Sequence, residues 1–157
     1  MKFSFQFVAM PYERFEPLFS RSDDELRAMD ARRMIVDDKP GYPCRVSLVD
    51  AEVGETVILL PFAHHDVSSP FRSSGPIYVR SGASKADPET DIIPAMFEHR
   101  LLSVRAYDQS AMLVDAEVVK GVELESAIRH IFDDEDVNYL HIHNAGQGCF
   151  LCRVVRA

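Results

Sequence analysis

The segment Leu101 to Tyr107, LLSVRAY, puts Leu102, Val104 and Ala106 on one side of an extended chain and Ser103, Arg105 and Tyr107 on the other, because successive side chains of a strand point to opposite faces. The same alternation separates Cys44, Val46 and Leu48 from Arg45 and Ser47, and Ile77 and Val79 from Tyr78 and Arg80. A chain written this way folds as half-buried antiparallel strands. One long stretch has the other period: Leu124, Ala127, Ile128, Ile131 and Phe132 line one stripe of a helix. The spacing predicts one main amphipathic helix over 123–133.

Punctuation sets the remaining elements. Phe3, Phe5 and Phe7 alternate as a first strand, Pro11 opens a short helical segment, and Ser22-Asp23-Asp24-Glu25 has the form of a capping box for a second short helix to about Met29. A strand at 32–36 ends at the turn Asp37 to Pro43, extended chain resumes from Cys44 to Leu48, and Gly54 leads into an apolar strand at 56–62. The aperiodic stretch Ala63 to Gly75, AHHDVSSPFRSSG, reads as a long exposed loop of the kind that carries function. A strand at 76–80, a turn or two of helix at 93–99, strands at 101–107 and 112–119, and a closing hairpin of 139–143 with 149–155 complete the chain. The expected fold is α+β, with 1–157 as a single domain: a mainly antiparallel sheet of about seven or eight strands, the 123–133 helix on its apolar face, and short N-terminal helices.

Charge narrows the partners. With 25 acidic and 17 basic residues the net charge is -8, which works against attraction to nucleic acid or to an anionic membrane surface. No apolar run approaches the roughly 20 residues of a membrane span, and Ser4 and Gln6 interrupt the N-terminal apolar residues, so no signal peptide is expected. Three cysteines suit free thiols in a reducing, cytoplasmic setting. No cofactor is implied, and a homo-oligomer is open.

The closing stretch YLHIHNAGQGCFLCR gathers the reactive side chains. With Asn144 to Gly148 as the loop, His143 lies opposite Cys149; Tyr139, His141, His143, Cys149, Leu151 and Arg153 then share one face, and Leu140, Ile142, Phe150, Cys152 and Val154 the other. Cys149 and Cys152, three apart on a strand, point to opposite faces and do not form a redox pair. His143 beside Cys149 makes a thiol nucleophile and base the candidate catalytic pair. His141 and His143 are an alternative metal pair that needs further ligands such as His64, His65 or Cys149. The ordinary readings are two surface or cleft imidazoles and an inert cysteine.

A wider pattern involves arginine. If the alternating strands share one sheet, Arg45, Arg80, Arg105 and Arg153 stand on its polar side with Tyr78, Tyr107, Tyr139, His141 and His143. Guanidinium groups bind carboxylate or phosphate in bidentate fashion, so Arg45, Arg80, Arg105, Arg153, Tyr107, His141 and His143 are the candidate residues for a small anionic ligand. The plain alternative is that each arginine pairs with an acidic side chain on a solvated face. A third possibility is an interaction module that uses the Ala63 to Gly75 segment.

The segments PGYPCRVSLVDAEVGE, SPFRSSGPIYVR, RLLSVRAYD and HIHNAGQGCFLCRV, in this order, resemble the family known as domain of unknown function 1203. The resemblance spans nearly the whole chain. It implies a bacterial, single-domain protein of about this length and carries no activity, cofactor or site residue with it.

Overall fold

The computed structural model describes residues 3–157. Eight strands and two helices alternate with short 3-10 turns: β1 (Phe5–Val8), α1 (Asp23–Ala28), β2 (Arg32–Ile35), β3 (Thr56–His65), β4 (Ser73–Arg80), β5 (Leu101–Tyr107), β6 (Leu113–Lys120), α2 (Leu124–Phe132), β7 (Tyr139–Asn144) and β8 (Phe150–Arg156). The fold is α+β and its strand pairs are antiparallel, as expected. The strands, however, form two sheets, one of five in the order β1-β8-β7-β5-β6 and one of three in the order β2-β3-β4. Among the described residues no helix is long and apolar enough to cross a membrane.

Each sheet has its own apolar layer. On the five-stranded sheet, Phe5, Phe7, Leu102, Val104, Ala106, Leu140, Ile142 and Val154 pack with Leu124, Ile128, Ile131 and Phe132 of α2, the two periods of the sequence meeting face to face. On the three-stranded sheet, Ile58, Leu60, Ile77 and Val79 pack with Phe15, Leu26 and Ala31. Ser22 caps α1 through its side chain, and Glu25 reaches back to the Ser22 backbone, completing the capping box.

Three expectations from the sequence change. The segment Cys44 to Leu48 is a turn rather than a strand; Leu48 has φ 53°, and the Leu48 N–H donates to the Cys44 carbonyl. The stretch Ala63 to Gly75 keeps a loop only over 66–72, because β3 runs through His65 and β4 starts at Ser73. The hairpin register differs by a bulge: Ile142 pairs with Cys152 and His143 with Phe150, leaving Leu151 over. The extra residue lets Leu151 and Cys152 both join the apolar layer, while Phe150 turns to the polar face with His143.

Gly121 joins β6 to the turn before α2. A Cβ there would lie 1.8 Å from the Phe97 carbonyl oxygen, and its N–H is held by the Arg100 carbonyl. Gly121→Ala is expected to destabilise by about 2 kcal/mol or more, a loss of roughly 4–8 °C in thermal unfolding at this size. Gly146→Ala, with nothing within 4 Å of the added carbon, is the matched control and should unfold like the parent.

Candidate functional site

The polar face of the five-stranded sheet, opposite α2, is assembled by register. Across β5 and β7, Ser103 pairs with His143, Arg105 with His141, and Tyr107 with Tyr139; across β7 and β8, His141 pairs with Arg153 and His143 with Phe150. The end of β3 lies against this face. A register shift between Phe62 and His65 brings two adjacent histidines to the same sheet. The His64 ring stacks on Phe150 at 5.2 Å and 7° and stands 5.1 Å from His143; the His65 ring is 4.9 Å from His141 and 4.2 Å from Tyr107.

Hydrogen bonds decide which ring nitrogens carry protons. Nδ1 of His65 donates to the Phe71 carbonyl at 2.7 Å, so in the neutral ring Nε2 accepts the Tyr139 hydroxyl at 2.5 Å. The Phe71 carbonyl is itself positioned: the Ser69 hydroxyl donates to the Ala111 carbonyl and accepts the Phe71 N–H. Nδ1 of His143 donates to the Gly148 carbonyl at 2.9 Å, which leaves Nε2 as a bare acceptor. Among the described residues, three buried ring nitrogens have no partner: His64 Nδ1, His141 Nδ1 and His143 Nε2. An unpaired buried polar atom costs about 1–3 kcal/mol, so three in one cluster mark a place where the fold gives up stability.

Burial keeps His64, His141 and His143 neutral at pH 7. Burial, then neighbouring His65, His143, His64 and Arg153, pushes His141 down to about 2. Burial also lowers His143 to about 4, aided by Arg105, His64 and Arg45, and His64 to about 4, aided by His65 and Arg105. Burial raises Tyr139 and Tyr107. The local field is therefore set by arginines.

A cleft of about 610 Å³ opens over this face, lined among others by Arg14, Phe62, His64, His65, Tyr139, His141, Phe150 and Arg153. The Arg14 guanidinium sits 4.5 Å from the Phe62 ring centre and that of Arg153 4.6 Å from Tyr139. Both arginines are exposed at the rim, and among the described residues neither makes an ion pair. Asp66, the one carboxylate lining the cleft, is bound to Arg72 at 3.0 Å.

The proposed arginine quartet is dispersed. Arg80 belongs to the three-stranded sheet and pairs with Glu55 at 2.8 Å. Arg45 is 1% exposed and bonds the Phe150 and Pro43 carbonyls, so it serves the interior. Arg105 lies beside His141 and Tyr107 and donates to Ser103 at 3.3 Å. Arg153, Tyr107, His141 and His143 do come together, with Tyr139. Sequence reasoning missed Arg14 and Phe62 and left His64 and His65 in a loop; the clue was that two histidines directly follow an apolar strand.

The catalytic pair also changes. His143 faces Phe150 rather than Cys149; its Nδ1 is taken by Gly148, and Cys149 Sγ accepts from Asn144 at 3.3 Å. Cys152 is buried, its thiol pushed up to about 12 by desolvation. For the metal alternative at His141 and His143, no group of three or more His, Cys, Asp or Glu among the described residues is arranged to hold an ion. Cationic Arg105 and Arg153 beside the rings favour an anion instead.

Two outcomes are expected. Arg45→Met strands two buried carbonyls and should cost about 2 kcal/mol or more, read as a fall of roughly 4–8 °C in thermal unfolding. His64, His141 and His143 set an acid limit: in the unfolded chain a histidine titrates near 6.5, above their folded values, so the unfolded state gains protons first. Stability is then full above about pH 6.5 and falls between there and about 4, continuing towards 2 for His141. His141 contributes up to about 1.4 kcal/mol per pH unit in that window, and chemical denaturation of His141→Phe across it should show a shallower slope.

A model of the family described as a protein of unknown function, DUF1203, matches residues 41–156. No curated protein matches the chain, and no solved structure does.

Proposed function

Starting from a chain that belongs to the DUF1203 family of proteins of unknown function, we propose that it binds a small anionic ligand in the cleft between its two sheets. One observation carries the reading: two rim guanidiniums, Arg14 and Arg153, each held over an aromatic ring and, among the described residues, without a carboxylate partner, flank a floor of neutral imidazoles. A concave site with aromatic walls and a few convergent polar groups is the usual form of a small-molecule pocket. In a protein of net charge -8, unpaired arginines at one mouth concentrate positive potential where the rest of the surface repels anions.

The floor decides where the charge sits. Neutral imidazoles bordered by Arg105 offer no countercharge to a cation, and a carboxylate carried to the bottom would lose its water. The ligand's charge therefore stays between Arg14 and Arg153, and its body lies over Phe62, Phe150 and the histidine rings. Compared with the arginine face expected from sequence, the ligand keeps Arg153 and His141, gains Arg14 and His64, and no longer involves Arg45 or Arg80. The Cys149 and His143 enzyme reading gains nothing from the geometry, because the two side chains serve separate partners.

Isothermal calorimetry with small organic carboxylates tests this. Arg153→Ala and Arg14→Ala are each expected to weaken binding about 10-fold or more, as loss of a charge-assisted contact does, and raised salt should weaken the parent's binding. Arg80→Ala should bind like the parent. Affinity unchanged in both rim variants would remove the proposal.

A further inference from the structure

Among the described residues, three partnerless ring nitrogens remain after the anion is assigned to the cleft's rim. His64 and His141 line the cleft and each has an unpaired Nδ1; His141 is 2% exposed, and the buried Nε2 of His143, whose Nδ1 bonds Gly148, is unpaired as well. The surrounding walls are flat: Phe150 stacked with His64, Tyr139 stacked with Tyr107, and Phe62 under Arg14. Arg105, paired across the sheet with His141, borders the floor without lining the cleft, so the floor itself presents no charge to a second ionic group.

Resting on the cleft reading above, we infer that the ligand is a hydroxylated aromatic carboxylate, its carboxylate at Arg14 and Arg153 and its hydroxyl at His64 and His141. A planar ring suits walls made of ring faces. A hydroxyl both donates and accepts, so it completes either tautomer of the imidazoles, whereas an aliphatic or unsubstituted end leaves them unpaired. A site built to pair a polar group rejects the analogue that lacks it far more strongly than an apolar pocket rejects a missing methylene. The cleft, at about 610 Å³, has room for a single-ring acid.

Calorimetry with para-hydroxyphenylacetate, phenylacetate and cyclohexylacetate separates the two levels of the argument. The expected order is hydroxyphenyl over phenyl by about 10-fold or more, and phenyl over cyclohexyl. His141→Phe, or His64→Phe should the buried change unfold the protein, is expected to bring the first ratio near one while Arg153→Ala still weakens both acids. If phenylacetate and its hydroxyl derivative bind equally in the parent, or if both histidine variants keep the full ratio, the hydroxyl assignment is wrong and the cleft reading stands. If none of the three acids binds, both fail together.

Discussion

Arg45 holds the two halves of the cleft together. Its Nε donates to the Phe150 carbonyl at the start of β8, Nη1 donates to the Pro43 carbonyl, and its own N–H donates to the Tyr78 carbonyl in β4. Its carbonyl accepts the Met10 N–H, which fixes the segment leading to Arg14. One residue thus ties the five-stranded sheet, the three-stranded sheet and the N-terminal approach. Burial lowers the guanidinium to about 10, so it stays charged at neutral pH and its carbonyl bonds are charge-assisted. The cost of burying it is met only where those acceptors converge.

What Arg45 joins are two surfaces of different character. Below lie imidazoles that burial keeps neutral; above stand arginines that water keeps charged. The separation is dictated by solvation, since a histidine gives up its proton when desolvated and an arginine does not. Tyr139 belongs to both layers, its hydroxyl on His65 and its ring under Arg153. The floor is bonded outward through Ser69 to the β5–β6 turn and through Gly148 to the β7–β8 turn, so the cleft is built on strands and pinned at two turns.

Much of this was legible in the sequence. The period-two alternation placed β5 at its observed bounds, and the 3.6-residue stripe found α2 within a residue at each end. The Ser22 capping box formed as written. The hidden part lay in two irregularities. The bulge at His143 exchanged Cys149 for Phe150 as its neighbour, and the shift between Phe62 and His65 turned an apparent loop into the strand that brings two histidines to the cleft. Each inserts one residue without changing composition, so alternation read along a single strand cannot register it. Arg45 was misread for a related reason: its neighbours alternate as a strand would, but the chain turns there, and a turn sends a long side chain inward.

The most direct test is to follow the ring nitrogens of all six histidines by NMR while an aromatic carboxylate is titrated in. Binding in the cleft should shift the resonances of His64, His65 and His141 and leave His99 and His130, which are exposed elsewhere, unmoved. Saturable binding that moves His99 or His130 while the cleft histidines stay still would contradict the account.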